Sequence, residues 1–226
     1  MKPDAPRRPE FFSALPAEVS ARLVARATPV KLNPDQTLFL AGDPGDGCYM
    51  IDEGILKVEM ASESGINRIL AILRPGTVVG ELSLIDGRPR SASVAALKAS
   101  RLRFISRAAF DELVAGDLAS MRMVATLLAA RLRDTNLALA SSNFMPVKGR
   151  VAVALVALKE GFGQEVGPGR TLIKVRLSQS DIAAMAGVSR ETASRVLNDW
   201  LRKGDLSRLA GYYCIERPAA IETAAG

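Results

Sequence analysis

Along this chain the spacing of apolar residues changes twice, and each change marks a different kind of structure. From Val30 to Ile105 they fall in short β-branched or alternating runs, at residues 37–40, 48–52, 55–60, 67–73, 92–97 and 101–105. Turns rich in Gly and Asp separate the runs, including GDPGDG at 42–47 and DEG at 52–54, which need residues tolerant of left-handed backbone. Short strands at this spacing predict a β-sandwich or barrel. From Asp117 to about Asn143 the period becomes helical. Leu118, Met121, Ala125, Leu128, Leu132, Thr135, Leu139 and Ser142 recur at alternating steps of three and four. Such a seam predicts two helices side by side, most simply in a parallel homodimer, with a single helix buried on its own domain as the plainer alternative.

Past a hinge expected near residues 143–146, residues 177–208 read as two short helices joined by a glycine turn and followed by a hairpin. Ser178 and Asp181 make a capping-box start, and Gly187 stops the first helix. Ser189 caps a second helix whose apolar side is Ala193, Val196, Leu197, Trp200 and Leu201. Arg190, Glu191, Ser194, Arg195 and Asn198 lie on its other faces. Arg can bond guanine through two atoms and Glu can accept from cytosine, both from the N-terminal end of a recognition helix. The predicted partner is therefore double-stranded DNA. The net charge of +6 agrees: residues 1–142 carry 18 basic against 16 acidic side chains, residues 143–226 carry 12 against 8, so the excess is densest beside this module.

Candidate ligand chemistry concentrates at residues 80–94, GELSLIDGRPRSASV. One carboxylate suits a hydroxyl donor, and one guanidinium fork suits a single phosphate charge. Read without context, Glu81 and Arg90 are also compatible with an ordinary surface ion pair.

Taken together, the 80–94 segment, the Thr-bearing long helix and the SRETASR order after Gly187-Val188 resemble the Crp-Fnr family of bacterial transcription regulators, in particular its cyclic-AMP receptor branch. The resemblance runs from Phe11 to Arg217. It implies an α+β chain: a cyclic-nucleotide-binding β-roll over 11–116, a dimerisation helix over 117–143 and a winged helix-turn-helix over 144–217. It implies that Glu81 takes the ribose 2′-hydroxyl and Arg90 the cyclic phosphate. Ser91 adds a donor, and main-chain groups of Gly80, Leu82 and Ser83 approach the ligand. Thr135 and Asn136 would meet the adenine amino group of cyclic AMP. Asn136 stands where the best-known enterobacterial member has Ser, and because its amide both donates and accepts, cyclic GMP stays open as the ligand.

The resemblance further implies that Arg190, Glu191 and Arg195 read a palindromic, TGTGA-like operator. Ser189 and Thr192 stand beside them, and Ser178 and Gln179 stand at the preceding helix start, where Gln179 replaces the Arg of the enterobacterial protein. RNA polymerase is an implied partner, with residues 160–170, Gly-rich and expected to be an exposed loop, where relatives touch it. Binding of DNA without any ligand also stays open, since relatives keep the β-roll after losing the nucleotide.

Other classes fit less well. No nucleophile, base and orienting group occur together, and with no histidine an enzyme is not expected. The absence of histidine, and of cysteine before Cys48, argues against haem or an iron-sulfur cluster, so no metal is expected. Two distant cysteines suit a reducing cytoplasm, and no run approaches the roughly 20 apolar residues of a membrane span. Residues 1–10, MKPDAPRRPE, are expected to be disordered.

Overall fold

A computed structural model describes residues 21, 24–61, 67–115 and 118–226; the expectation for residues 1–10 lies outside them. The chain divides into two compact units, with one boundary inside the long helix between Asn136 and Leu137 and with residues 61 and 67–70 grouped with the second unit.

The first unit is built on a six-stranded sheet: β1 (Thr28–Leu32), β2 (Thr37–Phe39), β3 (Gly47–Ala61), β4 (Asn67–Leu73), β5 (Val78–Val79) and β6 (Ser93–Ser106). The main path runs β1-β6-β3-β4, with β2 added to β6 and β5 to β3. Residues 48–52 and 55–60, expected as separate strands, form one long strand, and so do 92–97 and 101–105 apart from Ala92, which precedes it. DEG is therefore a bulge and not a turn. Gly54 adopts φ 98°, the β3/β6 register shifts around it, and the buried Ser100 hydroxyl accepts from Ile55 N at 3.2 Å while donating to Lys98 O at 2.7 Å. A bulge bends a strand without ending its pairing, which sequence punctuation cannot distinguish from a hairpin.

Two apolar clusters line this unit. Leu32, Ile51, Leu56, Leu73, Val79, Val94, Ala96 and Leu102 form one. Cys48, Met50, Val78, Leu84, Ile105, Ala109 and Phe110 form the other, and Val124 and Leu128 of the long helix pack against it. That helix spans Leu118–Phe144. Leu128 therefore faces its own domain and leaves the expected seam, whereas Leu118, Met121 and Leu132 are 66%, 58% and 62% exposed. Among the described side chains of this helix, apolar residues therefore lie on two sides.

Met145 and Pro146 interrupt the helical run where the hinge was expected, Pro146 capping helix Val147–Phe162. The second unit continues with β7 (Gly163–Gly167), β8 (Arg170–Ile173), helices Gln179–Ala186 and Arg190–Lys203, β9 (Leu206–Leu209), β10 (Tyr212–Ile215) and helix Pro218–Ala225. Its antiparallel sheet runs β7-β8-β10-β9. Residues 160–170 are thus largely the end of a helix and a hairpin strand, not a loop. The segment after Arg217 also folds: Ile221 is fully buried, and Glu222 accepts from Lys159 Nζ at 2.8 Å on helix Val147–Phe162. Cys48 and Cys214 are both buried.

Candidate functional site

The cassette begins at Gly80, which precedes the short helix Glu81–Asp86 in a left-handed conformation, φ 82°. A side chain there would be strained, and its Cβ would lie 2.5 Å from Arg90 Nη1. Glu81 and Arg90 are among the most buried charged residues, at 3% and 4% exposure. Arg90 Nη1 donates to Gly47 O and Gly80 O, both at 2.7 Å. Its guanidinium carbon lies 4.5 Å from the centre of the Phe39 ring and 5.9 Å from that of Tyr49. Burial pushes the Tyr49 phenol up, with Arg90 opposing the shift.

The rest of the Arg90 fork is less committed. Its buried Nε makes no hydrogen bond among the described residues, and Nη2 meets only an ion pair with Asp46 Oδ1 at 3.7 Å, whose side chain is 81% exposed. A buried cation with donors to spare suits a small anion, which would satisfy Nε and add charge-assisted bonds.

Gly80, Glu81, Leu82, Ser83, Arg90 and Ser91 all line one cleft of about 350 Å³, counting its open mouth. Phe39, Val58, Val79 and Val94 supply its apolar wall. Thr135 and Asn136 lie exposed on the long helix and are not among the residues lining it. Sequence reasoning missed Phe39, Tyr49, Asp46 and Gly47, which strand pairing brings in from about 40 to 50 residues away, and also Arg107, whose guanidinium donates to Ser83 O and Leu84 O at 2.6 and 2.8 Å.

In the second unit Ser178 accepts from Asp181 N at 3.1 Å, and Ser178 N donates to the Asp181 carboxylate at 2.8 Å, completing the capping box. Gly187 ends that helix at φ 62°, and Arg150 Nη1 donates to its carbonyl at 3.2 Å, bracing the turn. Ser189 caps the next helix by accepting from Thr192 N at 3.2 Å. Ala193, Leu197 and Trp200 are buried, while Ser189, Arg190, Glu191, Arg195 and Asn198 are exposed. Gln179 is half-buried. The Thr192 hydroxyl is held by Ser189 at 2.9 Å and Arg195 at 3.3 Å, which steers the Arg195 side chain. Bonding from its own backbone N–H and from Ser189 holds the Glu191 carboxyl below the usual range. The helix therefore presents two guanidinium donors and one anionic acceptor along its N-terminal half. Among the described residues no cluster suits a metal ion, and no helix is long and apolar enough to cross a membrane.

Comparison with known proteins agrees with both halves of this geometry. Residues 29–117 match the cyclic nucleotide-binding domain, and residues 149–224 match the Crp-like helix-turn-helix domain. The chain is 33% identical over 197 residues to a CRP-like cAMP-activated global transcriptional regulator of Mycobacterium tuberculosis, covering 87% of this chain and 88% of the relative. It is 33% identical over 215 residues to the cyclic AMP receptor protein of Thermus thermophilus, covering 95% of each. In fold it is similar to FixK2 of Bradyrhizobium japonicum, with a TM-score of 0.76 at 20% identity over 88% of this chain and 98% of that one. Fold and site together define a cyclic-nucleotide-binding transcription regulator. The chain belongs to the Crp-Fnr family.

Proposed function

We propose that the protein is a homodimer that binds cyclic AMP in the β-roll and in response binds a palindromic, TGTGA-like operator. The observation that carries the ligand half is Arg90: buried, anchored through Nη1, with Nε making no hydrogen bond among the described residues, and lining one cleft with Glu81. In this reading the Arg90 fork takes the cyclic phosphate, and Glu81 takes the ribose 2′-hydroxyl. Main-chain groups of Gly80, Leu82 and Ser83, with Ser91, complete the cradle. Thr135 and Asn136 meet the purine from the long helices. Relatives named as cAMP-activated or as a cyclic AMP receptor protein support cyclic AMP over cyclic GMP.

The exposed Leu118, Met121 and Leu132 support pairing of the long helix with a second copy. In the DNA half, Arg190, Glu191 and Arg195 read bases, while Ser178, Gln179, Ser189 and Thr192 sit where phosphates pass. Ligand can drive the change only if it binds the DNA-competent arrangement more tightly. RNA polymerase is the expected partner at promoters.

The test is fluorescence anisotropy on a labelled TGTGA palindrome at one fixed salt concentration, without nucleotide and with cyclic AMP or cyclic GMP. Tightening by cyclic AMP alone is expected. Tightening by cyclic GMP alone reassigns the purine, and tight binding indifferent to both makes the β-roll a scaffold.

A further inference from the structure

We infer that Arg107 is a positioning residue that carries the state of the ligand cassette into the helices that follow the sheet. The inference rests on the cyclic-nucleotide reading above and names the residue through which that site would act as a switch. Arg107 is the first residue of helix Arg107–Val114, and the long helix begins four residues after that one ends. Its backbone N–H donates to Asp46 O at 2.8 Å. Its guanidinium reaches three more carbonyls: Nη1 donates to Leu84 O at 2.8 Å, and Nη2 donates to Ser83 O at 2.6 Å and Gly45 O at 3.1 Å.

Ser83 and Leu84 belong to the six-residue cassette helix; Ser83 O also accepts from Gly87 N at 3.1 Å, and Leu84 O lies in the last turn, where carbonyls lack intrahelical partners. A planar fork of fixed donors fits converging carbonyls in a way that a single ammonium cannot. The turn at 45–47 is shared between two arginines. Gly47 O accepts from Arg90 and Asp46 Oδ1 faces Arg90 Nη2, while Gly45 O and Asp46 O accept from Arg107. A displacement of the cassette helix therefore reaches Arg107 directly, and one of Arg90 reaches it through the turn at 45–47.

Packing leaves little room to absorb it. A Cβ on Gly45 would sit 2.2 Å from Ser83 Cβ, so the turn and the cassette helix touch directly. Leu84 of the cassette and Phe110 of helix Arg107–Val114 share one core cluster, on which Val124 and Leu128 of the long helix also pack. Close-packed side chains pass on a shift that a looser interior would damp.

The experiment uses the full chain with Arg107→Met, which keeps most of the stem and removes every donor, and Arg107→Lys. Calorimetry measures cyclic AMP affinity. Anisotropy at fixed salt gives the coupling factor, the ratio of operator Kd without and with saturating cyclic AMP. Hydrogen exchange follows residues 84–88 and 107–110. For Arg107→Met we expect nucleotide affinity within about threefold of wild type and a coupling factor reduced about tenfold or more, with Arg107→Lys recovering part of it. Exchange should rise in those two segments and not in β3 or β6. An unchanged coupling factor overturns the inference, as does a parallel loss of affinity and coupling with faster exchange throughout the sheet. If the wild type binds neither cyclic AMP nor cyclic GMP, the functional reading fails by itself. The exchange pattern then judges the strut: a rise confined to the two segments supports it, and no rise removes it.

Discussion

Arg90 Nη1 donates to Gly80 O at 2.7 Å, and the same nitrogen would lie 2.5 Å from a Cβ on Gly80. One residue thus supplies both the acceptor that aims the guanidinium and the clearance that lets it approach. The φ of 82° that turns this carbonyl toward Arg90 also suits glycine. The placement of the Arg90 guanidinium and the local backbone geometry are therefore joined at the start of the cassette helix.

Arg90→Leu is expected to act on two levels. Loss of the charged donors should weaken cyclic AMP binding by about 100-fold or more. Gly47 O and Gly80 O would lose a buried donor, at a cost of about 1–3 kcal/mol, so the melting temperature should fall as well. Calorimetric titration and thermal melting separate the two. A variant that still binds cyclic AMP normally would remove Arg90 from the site.

Asp46 holds the opposite sign at the same place. Its carboxylate is 3.7 Å from Arg90 Nη2 and mostly in water, so the pair adds little stability, yet it would stand close to a bound phosphate. Asp46→Asn should therefore tighten cyclic AMP binding by about threefold to fivefold at low salt, shrinking as salt screens the repulsion. The variant also leaves the Asp46 carbonyl on Arg107 N untouched. Weaker binding at all salt concentrations would mean that the carboxylate orients Arg90 and does not compete for it.

What was legible in the sequence follows from how far apart the parts lie along the chain. Gly80, Glu81, Leu82, Ser83, Arg90 and Ser91 are nearly contiguous, and all of them line the cleft. The capping box at Ser178 and Asp181 and the Ser189 cap are local too, and their bonds form as their spacing predicts. Phe39, Asp46 and Gly47 were invisible because the strand pairings of β2, β3 and β6 bring them to Arg90. Arg107 was missed for the same reason, lying 24 residues from Ser83 with no motif around it. Gly54 and the glycines of residues 160–170 misled in the other direction, since glycine marks a bulge or a hairpin as readily as a loop.

The hairpin sheet of the second unit carries a pH-sensitive tie. Arg170 Nη2 donates to Glu216 Oε1 at 3.0 Å, and Arg170 together with Ser207 holds the Glu216 carboxyl down at about 2. A carboxyl lowered in the folded state contributes stability that is present above its unfolded value of about 4.3 and lost as pH falls from there towards 2. Arg170→Met should lower the melting temperature at pH 7 and narrow the difference between pH 7 and pH 3. Melting curves for both proteins at both pH values test this, and an unchanged difference would mean that the pair does not contribute to the acid limb.

Glu191 is exposed near the start of the recognition helix, and its carboxyl is held below the usual range by its own backbone N–H and by Ser189. It is therefore an anion across the physiological range and can only accept, which suits a base amino group in the major groove, cytosine N4 being the usual partner of a carboxylate. Glu191→Gln keeps the length but adds donors. Discrimination at one base pair of each half-site should fall on the order of tenfold, with binding at other positions unchanged. Because no phosphate contact is lost, the dependence of affinity on salt should keep its slope. Wild-type discrimination should hold steady from pH 8 to about pH 5, well above the range in which a lowered carboxyl takes up a proton. Competition titrations with single-base half-site variants measure all three quantities. Uniform weakening across every variant would make Glu191 a helix-start anion and not a base reader.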